Sequence, residues 1–494
     1  EADEAPTPKD KAHILREGPM CGVTQEEQLA NPDARISLHP HASVGLLSTL
    51  ATGYAGICSG DYPRFGRCFW ELSAIQDGWS PQQSTVRRTV TYGGREHAFF
   101  WEEGHGQFYR SVCDRLGESQ VRAWIRGTEF AGQSGVAVSS MSSLPCTLYN
   151  GDLFDNNTAV ILPADPVHLP AIWAYCSSPE FSRDVRRIDR SLKVTNSVVV
   201  KVPFDLERWQ RVADEQYPDG LPAPYSNDPT QWLFKGNPVG SAAPLQVAVA
   251  RLLGYRWPDQ EPDVLDPLVD RDGIVALSAI AGERPAAERL RALLATAYGP
   301  DWSPEVQTRL LAEVGAGPDE LDVWLRDAFF AQHCRLFHNR PFIWHVWDGR
   351  KDGFAALVNY HRLDNATLNK LIYTALGQWI TQQQSERDRG VAGADGRLVA
   401  AQALQQKLIA IREGEPPYDI YVRWKPLAQQ PIGWDPDLND GVRLNIRPWV
   451  TAGVLRAKFS VSWKKDRGKD PDGGERLNDR HYTNAEKRTA REKA

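Results

Sequence analysis

The residues best equipped for chemistry lie in Gly56–Leu72, GICSGDYPRFGRCFWEL. Arg64 and Arg67 are three positions apart and stand beside Phe65, Phe69 and Trp70. A guanidinium fork matches phosphate oxygens and guanine edges, so two forks held at a fixed angle by buried aromatics can read a nucleic acid. Gly56 and Gly60 tolerate backbone angles that other residues avoid, and Pro63 fixes one dihedral of the turn. The same residues also make an ordinary Gly/Pro turn over a small aromatic core. Three histidines, His338, His345 and His361, invite a metal reading. Their spacing fits neither H-E-x-x-H nor a facial triad, so core or hydrogen-bonded histidines are the better expectation.

The elements that must position these residues divide the chain. Residues 1–40 are polar and read as a tail or linker. Residues 41–215 read as mixed α/β, with strands expected around His97–Glu102, Gly135–Val138 and Thr158–Leu162. Leu169–Ile188 reads as a helix broken near Pro179, with Arg183, Arg186, Arg187 and Arg190 close together. Ser191–Phe204 alternates like a strand, and Asp205 is placed to cap the next helix. Residues 216–335 are acidic and helical, with Pro244–Pro258 amphipathic and Ser303–Pro304 a good helix start. Residues 336–412 form a helical spacer, with Asp364 or Asn365 capping its long helix. Residues 413–494 form a small C-terminal α+β lobe, with strand-like runs at Val442–Ile446 and Gly453–Trp463 and a basic tail. The fold class expected is therefore mixed α/β: an α+β domain, a helical spacer and a C-terminal α+β lobe.

Composition excludes several classes. A chain of 494 residues is long enough for two or three domains. A formal charge of -6 argues against a uniformly basic nucleic-acid binder but leaves room for a local patch. The seven cysteines include no C-x-x-C pair, which argues against a zinc knuckle and fits a reducing, cytoplasmic setting. No apolar run has the length of a membrane span and no secretory signal is evident, so no membrane partner is expected.

The Gly56–Leu72 segment resembles the opening of the DNA-recognition part of large adenine-specific DNA methyltransferases. These are the type IIG restriction-modification enzymes and their relatives in the DISARM and BREX phage-defence systems; Ser59 stands where their pattern has Thr. Further segments similar to that family follow in order: Gln25–Ile36, Tyr92–His97, Leu144–Asn157, Ala171–Phe181, Leu192–Trp209, Phe337–Ile380 and Asp435–Pro471. The resemblance implies a target-recognition-like domain over 41–215 and duplex DNA as partner. It implies candidate DNA contacts at Arg64, Arg67, Arg87, Arg88, Arg95, Lys193 and Lys201, and in the tail at Lys464, Lys465 and Arg467. For each, a solvated surface cation in a local ion pair is the plain alternative.

The family transfers a methyl group from S-adenosylmethionine to adenine N6 in a short duplex site. That chemistry needs a glycine-rich turn for the cofactor and a polar-Pro-Pro-aromatic turn for a flipped adenine. Gly104-His105-Gly106 lacks the further glycine and has Tyr109 where a tight helix entry needs a small residue. Glu415-Pro416-Pro417-Tyr418 has Glu415 in place of the short polar residue. Both read as structural, so this chain is expected to hold no cofactor and no catalytic residue, with S-adenosylmethionine bound by a catalytic domain N-terminal to residue 1 or by a separate subunit. No lysine follows Asp or Glu by two positions, so the simple PD-(D/E)-x-K nuclease site is absent, and there is no P-loop. Two other readings stay open: a freestanding specificity subunit that recruits a methyltransferase, and a carbohydrate-type binding protein, suggested by seventeen tryptophans.

Overall fold

The structure is a computed structural model that describes residues 7–18, 22, 24–29, 45–280, 282–457, 468–469, 475–476 and 480–494. Its strands, in chain order, begin with β1 (Ala51–Ala55), β2 (Gly66–Cys68), β3 (Trp79–Gln83) and β4 (His97–Phe100). They continue with β5 (Gly135–Ser139), β6 (Cys146–Tyr149), β7 (Leu153–Phe154) and β8 (Thr158–Pro163). These eight form two four-stranded sheets, ordered β1-β8-β5-β6 and β2-β4-β3-β7. All pairings are antiparallel except the parallel β3–β7 pair.

Successive side chains of a strand point to opposite sides, and along β5, β6 and β8 of the first sheet both sides are buried. Val136, Val138, Leu148, Ala159 and Ile161 join one core with Trp173, Tyr175 and Trp209. Ala137, Tyr149, Val160 and Leu162 form a smaller cluster. The helix expected over Leu169–Ile188 is two helices, Leu169–Cys176 and Pro179–Ile188. The Ser178 hydroxyl accepts from Glu180 N at 3.2 Å to cap the second. Asp205 caps Leu206–Gln216 through Arg208 N at 3.0 Å. On the second sheet Phe99 meets Phe65 and Phe108 from the flanking helices Tyr62–Phe65 and Gln107–Leu116, edge to face or tilted, with centroids 4.9–6.3 Å apart.

The remainder is built on a small antiparallel sheet of β9 (Ile274–Ala276), β10 (Ile343–Trp347) and β11 (Ala355–Asn359), ordered β10-β11-β9. Around it pack helices Pro244–Leu252, Ala286–Tyr298, Leu376–Asp388 and Ala394–Glu413. One core runs from Trp232 to Leu455 and also takes in Phe69 and Trp70 from the early loop. The chain is thus mixed α/β, with α+β and helical parts.

Two expected strands are not strands. Ser191–Phe204 runs as turns joined to neighbours by single bridges, Met141 to Lys193 and Leu46 to Pro203. Its alternation buries Val194, Val200, Val202 and Phe204 against the first core without a continuous ladder. Val442–Ile446 is helical, as Val442–Asn445 leading into Arg447–Ala452. Pro448 at the start of the second helix suits a first turn, where no amide donor is needed. Of Gly453–Trp463 only 453–457 are described, with a bridge from Leu455 to Val346.

Candidate nucleic-acid interface

Three predicted cations from two segments far apart in sequence, the adjacent Arg87 and Arg88 and the distant Lys193, come together at one end of the first sheet. Val86 N donates to Ser139 Oγ at 2.9 Å, which places Arg87 and Arg88 beside the end of β5. Ser140 N donates to Asn157 O and Val194 N to Ser140 O, which brings the approach to β8 and the loop around Lys193 to the same place. Lys193 Nζ donates to Asn157 Oδ1 at 3.1 Å. Arg87, Arg88 and Lys193 are exposed, and none has a carboxylate partner among the described residues. Arg186 ties the rim together from the adjoining helix, donating to Ser142 O at 2.7 Å and also to Ser191 O. Beside it, Thr89, Ser177, Ser178, Ser182 and Arg183 line a groove of about 510 Å³. Arg183 and Arg187 are exposed, the latter 3.4 Å from Asp184. Met141 and Leu192 stand exposed within this basic rim. The four arginines of Arg183–Arg190 were visible as a run; that they adjoin Arg87 and Lys193 was not.

The other predicted contacts lie elsewhere. Arg95 is fully buried, donating to Gly93 O at 3.1 Å and Leu148 O at 2.8 Å, so it cannot meet DNA without unfolding. Burial pulls its pKa down to about 10, and it remains charged at neutral pH. Arg67 is likewise buried, donating to the carbonyls of Pro63, Gly66 and Asn439. Its guanidinium also lies over the rings of Trp79 and Trp424, at 5.5 and 5.4 Å. Arg67 and Arg95 are therefore interior groups, corrections that follow from carbonyl oxygens the sequence does not reveal. Arg64 is half-buried over the Phe65 ring, and Lys201 is half-buried with a partner. Lys464, Lys465 and Arg467 lie outside the described residues.

The Gly56–Leu72 loop is held against the C-terminal part of the chain. Asp61 forms a bidentate pair with Arg423, which is only 6% exposed. Glu71 accepts from Cys68 N and Val442 N, both at 3.0 Å, and Trp70 Nε1 donates to Arg340 O at 3.1 Å. His361 Nε2 donates to Trp70 O at 2.8 Å. Gly60 takes a left-handed φ of 62°, and a Cβ there would lie 2.1 Å from the Trp124 ring, so only glycine fits.

The Gly104-His105-Gly106 turn does join β4 to helix Gln107–Leu116, but the Glu102 carboxylate already accepts from Gln107 N at 2.5 Å. A first-turn amide that a cofactor would need is thereby occupied. Glu415 is exposed in the turn after Ala394–Glu413. His333 and His345 are buried and His361 is half-buried, and desolvation pushes their pKa values down to about 3, 3 and 4. Among the described residues no group of three or more His, Cys, Asp or Glu is arranged to hold a metal ion, and no helix is long and apolar enough to cross a membrane.

No protein-family model matches the chain, and no curated protein matches it. Among solved structures, the chain is similar to the Type IIL restriction-modification enzyme MmeI in complex with DNA, at 10% identity and a TM-score of 0.21. The likeness covers 58% of this chain and 38% of that one, so the chain spans well under half of that enzyme.

Proposed function

We propose that this chain is the DNA-recognition portion of an adenine-N6 DNA methyltransferase of restriction-modification or phage defence, and that duplex DNA lies against the rim of Arg87, Arg88 and Lys193. The observation that supports the DNA reading is the convergence of these exposed cations, from segments about a hundred residues apart, on one sheet end. Loops anchored on a rigid sheet suit phosphate positioning, while sequence would be read by further groups reaching base edges. The methyltransferase reading rests on the ordered motifs that resemble that family. In it, S-adenosylmethionine and the transfer step belong to a catalytic domain or subunit that this chain serves. The carbohydrate alternative is weakened, because Trp70, Trp173 and Trp209 are all buried and offer no ring to a sugar.

The test is a salt titration of duplex binding by fluorescence anisotropy. Each phosphate contact contributes roughly 0.9 to the slope of log K against log[salt], so a triple Arg87→Ala, Arg88→Ala, Lys193→Ala variant should lose a slope of about 2–3. An unchanged slope would falsify the rim as the DNA face. In a tritiated-methyl assay, transfer to duplex should require the added catalytic domain; transfer by this chain alone would sink the division of labour.

A further inference from the structure

The basic rim carries two apolar residues that neither core packing nor charge pairing accounts for. Leu192, 81% exposed, is the most exposed large hydrophobic residue among the described residues, and Met141 is 41% exposed. Each sits on a backbone held from both sides. Arg186 donates to Ser142 O, one residue after Met141, and to Ser191 O, one residue before Leu192. Met141 and Lys193 face each other in an antiparallel bridge, and Val194 N donates to Ser140 O at 2.8 Å. Ser191 N and Oγ both donate to Asp189 Oδ1. Asp189 is the one acid between Arg186 and Val194, and its carboxylate is thereby engaged within its own turn. The tip that bears Met141 is also strained. Ser142 and Leu144 hold left-handed φ values of 58° and 56°, which residues with side chains rarely adopt. Leu144 N closes the turn on Met141 O at 3.2 Å, and Leu144 itself is buried. Such strain persists where the surroundings over-determine it, as at ligand clamps.

A single exposed leucine is ordinary on a protein surface. One fixed on a clamped backbone beside Arg87, Arg88 and Lys193 stands where a duplex drawn in by those cations would meet it. We propose that Leu192 is an apolar wedge that enters a base step of duplex DNA, with Met141 packing beside it against the same duplex. The proposal rests on the reading of the rim as the DNA face. Cations on phosphates position a duplex but carry no sequence information. An inserted aliphatic side chain unstacks one step and kinks the helix, and the cost is lowest at flexible pyrimidine–purine steps. Leu192 thus gives the rim a means of preferring such steps without a hydrogen bond to a base.

Two probes separate the wedge from the cations: a short end-labelled duplex with a central TA step, and the same duplex with a central mismatch, whose stacking is already weakened. On binding the unmodified chain, the paired duplex should show raised energy transfer between its ends, from a kink of about 20–90°. The mismatched duplex should bind roughly tenfold tighter, because less unstacking remains to be done. Leu192→Ser should abolish the change in energy transfer and bring the two affinities within about twofold of each other. Its salt slope should stay that of the parent, and so exposed a position leaves the fold intact. Leu192→Met should keep both the kink and the preference. Arg87→Ala with Arg88→Ala should weaken both duplexes alike and lower the salt slope, with the mismatch preference retained. A kink and a preference that survive Leu192→Ser, or that the unmodified chain never shows, overturn the wedge; a slope that still falls in the arginine variant then leaves the rim as the DNA face. A slope unchanged in the arginine variant removes the rim reading, and the wedge with it.

Discussion

The rim, and the seam between Gly56–Leu72 and the C-terminal part of the chain, use the same residue type for opposite ends. At the rim, Arg87 and Arg88 project from a segment pinned by backbone hydrogen bonds, and their charge meets water. At the seam, Arg67 and Arg423 are enclosed, one by carbonyls and indole rings and the other by Asp61. An exposed cation costs the fold little and is available to a partner. A buried one is committed to neighbours whose loss leaves charge stranded. An arginine near an aromatic-rich turn is thus no guide to binding until its burial is known.

Acid should break the comparison most. The core against which the seam packs holds His333, His345 and His361, depressed by desolvation to about 3, 3 and 4, whereas the first sheet's core contains no histidine. The unfolded chain takes up protons below about pH 6.5 that the folded chain refuses, so their stability is full above that value and falls as pH drops toward the folded values. Each histidine contributes a slope of about 1.4 kcal/mol per pH unit in that window. Denaturant melts at pH 7 and pH 5 should differ by several kcal/mol. His345→Phe should remove about a third of the difference, because neither His345 ring nitrogen has a hydrogen-bond partner among the described residues. Equal stability at the two pH values would contradict the assignment.

Asp61→Ala comes next. It takes the bidentate carboxylate from Arg423, which is buried in the seam, and should cost about 3–5 kcal/mol, read as a lower denaturation midpoint. Partial rescue by Arg423→Met in the double variant would show that the buried charge, not the missing contact, is the cause; a single variant as stable as the parent would place the pair in effect at the surface.

The rim should show the smallest effect on stability. Arg87→Ala with Arg88→Ala should leave the melting free energy within about 0.5 kcal/mol of the parent, as substitutions at exposed sites do. A larger loss would mean that the rim cations hold the fold and are not free for a partner.

Local signals were legible because their causes are local. Asp205, Ser303 and Asp364 cap the helices that follow them through hydrogen bonds three residues long. The strands at His97–Phe100, Gly135–Ser139 and Thr158–Pro163 follow their β-branched and aromatic content. Ser191–Phe204 misled because side chains can alternate between core and solvent along a segment of turns without a ladder. Val442–Ile446 misled because an apolar/polar alternation only five residues long is compatible with either state once tertiary packing decides.

The sequence alone determined the mixed α/β class, the break at Pro179, and the stock of arginines and aromatics from which any recognition surface must be built. Which arginines face water was decided by tertiary structure. Arg67 meets Asn439 across 372 positions, Asp61 meets Arg423 across 362, and Arg87 reaches the end of β5 through a bond spanning 53. Such partners are set by how sheets and helices stack, and a guanidinium carries the same charge in the sequence whether a carbonyl, a carboxylate or water receives it.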